Sequence, residues 1–161
     1  MGGVLSLFRK SRKMLILGPR GAGKTTVLEQ IVALHKPKPS VSINRYFNFL
    51  KFKNYNIWDL KGEGDQTVSW SYYYDNTACI IFVYDSENPE QSEKLLKELC
   101  FTKELRNAVL LIVVNKMRNE TGQLEGIAQI VKRRVFYPLL VAKDQKPFDI
   151  RQGFEWLLKN S

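Results

Sequence analysis

MLILGPRGAGKTT, residues 14–26, carries the clearest structural signal in the chain. Its apolar start, 14–17, is followed at once by Gly18 and Pro19, which predicts a buried strand that ends in a turn. Apolar side chains recur at helical spacing from residue 25 to residue 34. Residues 18–25 match the pattern G-x-x-x-x-G-K-[ST] between this strand and this helix. The stretch therefore predicts a phosphate-binding loop.

Each residue type in this loop has a chemical reason. Glycines let consecutive backbone N–H groups converge on phosphate oxygens, where a side chain would collide. Lys24 is placed to reach the β- and γ-phosphates of a nucleotide, and the Thr25 hydroxyl is placed to bind Mg²⁺. The amino end of the helix adds its positive dipole. The pattern alone is compatible with kinases, ATPases and GTPases.

Strands and helices continue to alternate along the rest of the chain. We expect a hairpin of strands near 46–53 and 55–60, then a polar loop at 61–67 and a short aromatic helix. The remaining strands are expected near 79–84, 109–114 and 138–142, and the remaining helices at 89–105, 124–133 and 150–158. This order predicts an α/β fold with a six-stranded, mostly parallel sheet, one antiparallel edge strand and helices on both faces.

Composition excludes several classes of protein. The 161 residues suit one compact domain, and a hydrophobic fraction of 44% excludes a disordered chain. His35 is the only histidine, which argues against histidine-based metal sites and Ser-His catalysis. Two cysteines, Cys79 and Cys100, provide no disulfide framework and are typical of a reducing compartment. No apolar run approaches the roughly 20 residues that span a bilayer.

Positive charge is concentrated in residues 1–58. They carry eleven Lys and Arg side chains against one acidic residue, Glu29, whereas residues 59–161 are close to neutral. A basic block of this kind points to an anionic partner, which is nucleotide phosphate, nucleic acid or acidic lipid. Nothing except this charge supports nucleic acid as the partner, so it is the weakest of the three hypotheses.

Four segments occur in the order and spacing that one class of nucleotide-binding protein has. They are residues 18–26, 58–62, 75–86 and 109–116. With these segments the chain resembles the ADP-ribosylation-factor (Arf) family of small GTPases over essentially its whole length. The resemblance implies the P-loop NTPase small-GTPase fold, a bound guanine nucleotide (GTP or GDP), a Mg²⁺ ion, and effector and regulatory proteins as partners.

The resemblance also implies roles for individual residues. Asp59 holds Mg²⁺ through water, and Asn115 begins the N-K-x-D motif that binds the base. The implied nucleotide-binding residues are Gly18, Gly21, Ala22, Gly23, Lys24, Thr25, Thr26, Gly62, Asn115, Lys116, Ala142 and Lys143. The implied metal-binding residues are Thr25, Ser40 and Asp59. The implied effector-binding triad is Ile43, Trp58 and Tyr73. Core packing is an equal alternative for Ile43 and Trp58.

Four positions depart from the family pattern. Glu63 replaces the glutamine that orients the attacking water, and its negative charge predicts impaired hydrolysis. Arg20 lies in the phosphate loop, either as a positive clamp on the transition state or as an obstruction to the water. These two are the candidate catalytic residues. Lys61 adds charge beside the phosphates. Arg118 replaces the aspartate that accepts two hydrogen bonds from guanine, and arginine has donors only.

Residues 1–13 predict a membrane-binding segment in front of the small-GTPase domain, 14–161. Residues 1–6 match the N-myristoylation pattern M-G-x-x-x-[ST] with Gly2 as the acceptor, and Arf-family proteins commonly carry this lipid. One myristoyl chain binds membranes marginally, whereas a chain with a basic cluster holds. The basic cluster is Arg9, Lys10, Arg12 and Lys13. The alternative is a solvated basic leader whose Leu7 and Phe8 pack on the sheet.

These features predict a divergent, monomeric Arf-like GTP-binding switch that is cytoplasmic and peripheral on a cytosolic membrane face, at the Golgi or another endomembrane. We expect it to act in vesicle trafficking or membrane recruitment, with slow GTP hydrolysis that needs an activating partner. The alternative is a membrane-recruited binding module that holds nucleotide without cycling, a pseudo-GTPase. A P-loop nucleotide kinase would need an arginine-rich lid, and residues 119–131 contain no arginine.

Overall fold

The computed structural model describes residues 10–36, 39–61, 70–118, 120–132, 134–145 and 148–161. The strands in these residues are β1 (Arg12–Leu17), β2 (Val41–Ile43), β3 (Phe47–Phe52), β4 (Tyr55–Leu60), β5 (Thr77–Asp85), β6 (Val109–Met117) and β7 (Phe136–Ala142). The α-helices are α1 (Lys24–Ala33), α2 (Pro89–Phe101), α3 (Glu120–Val131) and α4 (Arg151–Asn160). Short 3₁₀ helices lie at Ser71–Tyr73 and Lys103–Leu105.

All seven strands join one sheet in the order β2-β3-β4-β1-β5-β6-β7. β1 lies at the centre, parallel to β4 on one side and to β5 on the other, and β6 and β7 continue the parallel arrangement. Among the described strands, β3 alone runs in the direction opposite to all the others. The carboxyl ends of β1, β5 and β6 therefore meet at one edge, where open α/β sheets bind their ligands.

The prediction of six strands is wrong by one, because β2 forms a seventh. β2 contains only Val41–Ile43, which is too short to show the alternation that marks a strand in sequence. It forms against the outer edge of β3, where Val41 pairs with Leu50 and Ile43 pairs with Asn48. The antiparallel strand is consequently second in the sheet, and β2 occupies the edge. The α/β class and the mostly parallel sheet are confirmed.

Side chains of β1 enter two hydrophobic layers, one on each face of the sheet, as the two-residue period of a strand requires. Met14 and Ile16 pack in one layer with α1 and α4. Leu15 and Leu17 pack in the other layer with α2 and α3. Because both faces of β1 are covered, its sequence is a continuous apolar run. The prediction of helices on both faces is confirmed.

Two helix boundaries differ from the sequence expectation by four residues, and the others by two or fewer. α2 ends at Phe101, and extended backbone at Thr102 separates it from a 3₁₀ helix that the periodicity had merged with it. α3 begins at Glu120 and not near 124, because Gly122 in its first turn weakens the helical signal. No helix in the described part of the chain is long and apolar enough to cross a membrane.

Candidate nucleotide-binding site

The loop between β1 and α1 lies in close contact with the ends of two other strands. Gly18 and Gly23 have φ angles of 153° and 108°, which side-chain-bearing residues rarely adopt. A Cβ on Gly18 would lie 2.4 Å from the Val83 carbonyl oxygen, and one on Gly23 would lie 2.7 Å from Asn115 Nδ2. A side chain at position 18 would therefore collide with the backbone of β5, and one at position 23 would displace the Asn115 side chain of β6.

Side chains from β6 hold the carbonyl groups of this loop. Asn115 Nδ2 donates a hydrogen bond of 2.8 Å to the Ala22 carbonyl. Lys116 Nζ donates one of 2.8 Å to the Gly21 carbonyl, and it also forms an ion pair of 3.0 Å with Asp85 at the end of β5. The two residues predicted to bind the base thus also fix the conformation of the phosphate loop.

Lys24, the first residue of α1, is buried beneath the loop with only 8% of its surface exposed. Its Nζ donates hydrogen bonds of 3.0 Å to the Gly18 and Pro19 carbonyls. Burial lowers the pKa of this ammonium group, and the nearby charge of Asp59 opposes the shift. Anionic phosphate oxygens would provide the same compensation, so the site electrostatically favours a phosphate ligand.

Asp59, near the end of β4, is a buried carboxyl group that is only partly satisfied. It is 2% exposed, and its Oδ2 accepts a hydrogen bond of 3.0 Å from Asn48 Nδ2 on β3. Burial raises its pKa, against the opposing effects of the Asn48 hydrogen bond and the charges of Lys24 and Lys61. Its Oδ1 is buried and has no hydrogen-bond partner among the described residues. An acceptor oxygen of this kind fits a water bound to Mg²⁺.

The donor set around Asp59 also fits magnesium better than a metal that prefers protein cages. No group of three or more His, Cys, Asp or Glu side chains gathers anywhere in the described ranges. Mg²⁺ typically binds through one or two protein groups, waters and substrate phosphates. Thr25 and Asp59 line one cavity and would form the protein part of such a site.

Two cavities adjoin the loop and share part of its wall. The first has a volume of about 410 Å³ and is lined by Arg20, Gly21, Gly23, Lys24, Thr25, Thr26, Asp59 and Lys61. The second has a volume of about 610 Å³ and is lined by Gly21, Gly23, Thr26, Gln30, Glu87, Asn115, Lys116, Lys143, Gln145 and Phe148. The fold thus brings phosphate-loop and base-motif residues, which are distant in sequence, to one edge of the sheet.

Three residues contribute to this region although the sequence predicted no role for them. Asn48 pairs directly with Asp59 across the β3–β4 hairpin, and the signal was a polar residue in an apolar strand. Asp85 ends the buried strand β5, at the edge where ligands bind. Glu87 follows two residues later, and nothing in the local sequence distinguishes it from a solvated surface residue.

Some predicted site residues lie away from the cavities or outside the described residues. Ser40 is exposed and lines neither cavity, and Ala142 at the end of β7 is likewise exposed. Gly2, Gly62 and Glu63 lie outside the described residues. The roles assigned to these five residues, like those of the other predicted site residues, stay predictions.

The predicted effector triad separates into an aromatic pair and one exposed aliphatic side chain. The rings of Trp58 and Tyr73 lie 5.8 Å apart, and Trp58 also contacts Phe47 and Phe49 at 4.6 Å and 4.7 Å. Ile43 on the edge strand β2 is 77% exposed, so the core-packing alternative does not hold for it. Trp58 is half-buried and packs against the core while remaining accessible.

The fold and the position of the loop are those of the small GTPases. A sequence profile of the ADP-ribosylation factor family matches residues 2–160, and the chain belongs to this family. It is 32% identical to ADP-ribosylation factor-like protein 1 of Saccharomyces cerevisiae, over 92% of this chain and 87% of that protein. It is 36% identical to the Drosophila melanogaster protein of the same name, over 72% of this chain and 70% of that one.

A solved structure gives the same fold. The small GTPase Arl6 (BBS3) of Trypanosoma brucei, with the bound nucleotide analogue GppNp, superposes with a TM-score of 0.73. The match covers 93% of this chain and 96% of that one at 19% identity. At this identity the comparison supports the fold alone.

We expect Gly18→Ala to destabilise the protein much more than Gly21→Ala. The new Cβ at position 18 would collide with the Val83 carbonyl, whereas position 21 has no atom within 4 Å to meet. Gly18→Ala should lower the free energy of unfolding by about 3 kcal/mol or more, and Gly21→Ala by about 1–2 kcal/mol for its backbone conformation alone. Urea unfolding at one fixed nucleotide concentration measures both, and equal losses would contradict the close approach at Gly18.

Proposed function

We propose that this chain is a GTP-binding switch in which the first cavity holds the nucleotide phosphates and Mg²⁺ and the second holds the sugar and base. The observation that carries the proposal is the joint position of Lys24, Thr25 and Asp59 in one cavity, beside Asn115 and Lys116 in the next. Family membership supports the same assignment. The proposed nucleotide-binding residues are Gly18, Gly21, Ala22, Gly23, Lys24, Thr25, Thr26, Gly62, Asn115, Lys116, Ala142 and Lys143.

The phosphates are held by charge and by backbone amides. Lys24 exchanges its loop carbonyl partners for β- and γ-phosphate oxygens, and the amino end of α1 adds the helix dipole. Thr25 through its hydroxyl and Asp59 through water hold Mg²⁺, which supplies charge neutralisation at the phosphates. The unpartnered buried Oδ1 of Asp59 supports this role.

The switch consists of residues 40–44 and 61–70. Ser40 lies outside the first cavity and reaches it only if the segment before β2 moves, so its contact with Mg²⁺ is proposed for the GTP-bound arrangement. Effector proteins then contact Ile43, which is an exposed aliphatic side chain, and Trp58 with Tyr73, which form an accessible aromatic pair. Exposed apolar and aromatic side chains suit the core of a protein–protein interface.

Hydrolysis is slow in this proposal because two positions depart from the family pattern. Glu63 adds a negative charge where the family has glutamine, and Arg20 lines the first cavity. The replacement of the water-orienting glutamine favours a second candidate function, a pseudo-GTPase that holds nucleotide without cycling.

Membrane attachment is proposed for the residues before β1. A myristoyl group on Gly2 and the basic side chains of Arg9 and Lys10 together give a two-signal anchor. Arg12 and Lys13 complete the predicted basic cluster but begin β1, where Lys13 Nζ donates hydrogen bonds to the Tyr73 and Asp75 carbonyls at 3.0 Å and 2.8 Å. Such an anchor fits a cytosolic switch in membrane recruitment or vesicle trafficking at the Golgi or another endomembrane.

Substitution of Lys24 tests the phosphate assignment. We expect Lys24→Ala to weaken GDP affinity about 10- to 100-fold, because a hydrogen-bonded charge on the phosphates is lost. Lys51→Ala, on the exposed part of β3, is the matched control and should leave GDP affinity unchanged. Titration with a fluorescent GDP analogue measures both. Equal affinities for Lys24→Ala and the unmodified protein would contradict the proposed site.

Single-turnover hydrolysis of bound GTP tests the role of Glu63. We expect slow unassisted turnover that rises about 10-fold or more in Glu63→Gln, because an amide orients the attacking water without repelling the γ-phosphate. Glu125→Gln, exposed on α3, is the control. Fast turnover by the unmodified protein would contradict the argument from Glu63, and no turnover in either protein would favour the pseudo-GTPase.

Vesicle sedimentation tests the anchor. The myristoylated chain should bind vesicles that contain phosphatidylserine, and binding should weaken as salt rises because the basic cluster is screened. Gly2→Ala should abolish stable binding. Replacement of Arg9 and Lys10, which precede β1, by Gln should weaken binding by about 1 kcal/mol per residue. Unchanged binding by the Gly2→Ala variant would leave the lipid without a role.

A further inference from the structure

We propose that Glu87 reads the guanine base in place of the aspartate that Arg118 has replaced. This inference rests on the proposed function, since it concerns the specificity of the same nucleotide site. The structure assigns to Glu87 the one chemical property that position 118 has lost, a carboxylate acceptor in the wall of the second cavity.

The second cavity needs an acceptor because guanine presents donors. Guanine offers N1–H and a 2-amino group along one edge, and a carboxylate accepts both. Arg118 has donors only and does not line the second cavity. Without another acceptor, the two donors would lose their partners on leaving water, and guanine would bind no better than other purines.

Glu87 is the only acidic residue among those that line the second cavity in the described part of the chain. It lies in the loop after β5, and Asn115, Lys116 and Lys143 line the same cavity. Its side chain is 39% exposed, so a ligand can reach it. Asp85, two residues earlier, is buried, already paired with Lys116 and absent from the cavity wall, so it does not compete for this role.

Two basic side chains hold the Glu87 carboxylate in place. Lys143 Nζ lies 2.6 Å from Oε1, and Arg118 Nη2 lies 3.4 Å from the same oxygen. No ion pair or hydrogen bond from a described residue reaches Oε2, which leaves that oxygen for a ligand. Arg118 is therefore a positioning residue for the carboxylate that takes over the lost contact.

The charge state of Glu87 suits this task. The hydrogen bond from Lys143 lowers the pKa of Glu87, with further lowering from the charges of Lys143, Lys116 and Arg118. The side chain is therefore ionised at neutral pH and acts only as an acceptor. Lys143 itself is fixed by its backbone N–H, which donates to the Met117 carbonyl at 3.1 Å. Through Lys143, the Glu87 carboxylate is thus connected to the carboxyl end of β6, which carries the base motif.

The test changes the hydrogen-bonding groups on both sides of the proposed contact. The carboxylate of residue 87 becomes an amide, and guanine is replaced by xanthine. Xanthine carries a carbonyl acceptor where guanine carries the 2-amino donor, so an amide at position 87 suits xanthine and a carboxylate suits guanine. We therefore compare the affinities of GDP and xanthosine diphosphate for the full chain and for Glu87→Gln, by competition with a fluorescent GDP analogue. Glu90→Gln is the matched control, since Glu90 is exposed on the first turn of α2 and lines neither cavity.

The expected result is a change in the ratio of the two affinities. Glu87→Gln should lose about 10-fold in GDP affinity and gain about 10-fold for xanthosine diphosphate, whereas Glu90→Gln should match the unmodified chain. If Glu87 only anchored Lys143 and Arg118, both affinities would fall together. An unchanged ratio therefore overturns the inference and leaves the proposed function intact. Failure of the unmodified chain to bind GDP overturns the proposed function and this inference with it.

Discussion

The close approach of the phosphate loop to the ends of β5 and β6 is the constraint on which the site depends. Gly18 lies against the Val83 carbonyl, and Asn115 and Lys116 hold the Ala22 and Gly21 carbonyls from β6. The conformation of the loop is thus fixed by β5 and β6, and β6 also supplies the base motif. One packing arrangement therefore sets the distance between the two cavities, and the parallel order of β1, β5 and β6 makes that arrangement possible.

Two buried groups of opposite charge give the first cavity its chemistry. Burial shifts the pKa of Lys24 downwards and that of Asp59 upwards, and each charge partly offsets the shift of the other. The pair remains incompletely satisfied, since Asp59 Oδ1 has no partner among the described residues. A nucleotide phosphate would offset the charge of Lys24, and a water on its Mg²⁺ would give Asp59 Oδ1 a hydrogen-bond partner.

The sequence predicted the fold well wherever the pattern that marks a strand or loop was continuous along the chain. The apolar run 14–17, the glycine loop and the continuous strands β5 and β6 each gave a clear signal, and the α/β sheet followed from their order. The short strand β2 was missed because its pairing with β3 is a tertiary event. Asn48 and Glu87 were missed for the same reason, since their importance comes from Asp59 and Lys143, which are distant in sequence.

The identity of the nucleotide that the protein carries is the most direct test of this account. The full chain is purified without added nucleotide and denatured, and the released small molecules are separated and identified. We expect GDP or GTP in close to equal amount with the protein, and loss of this nucleotide in Lys24→Ala. Adenine nucleotide would contradict the proposed reading of the base, and a protein that carries and binds no nucleotide would contradict the proposed function as a whole.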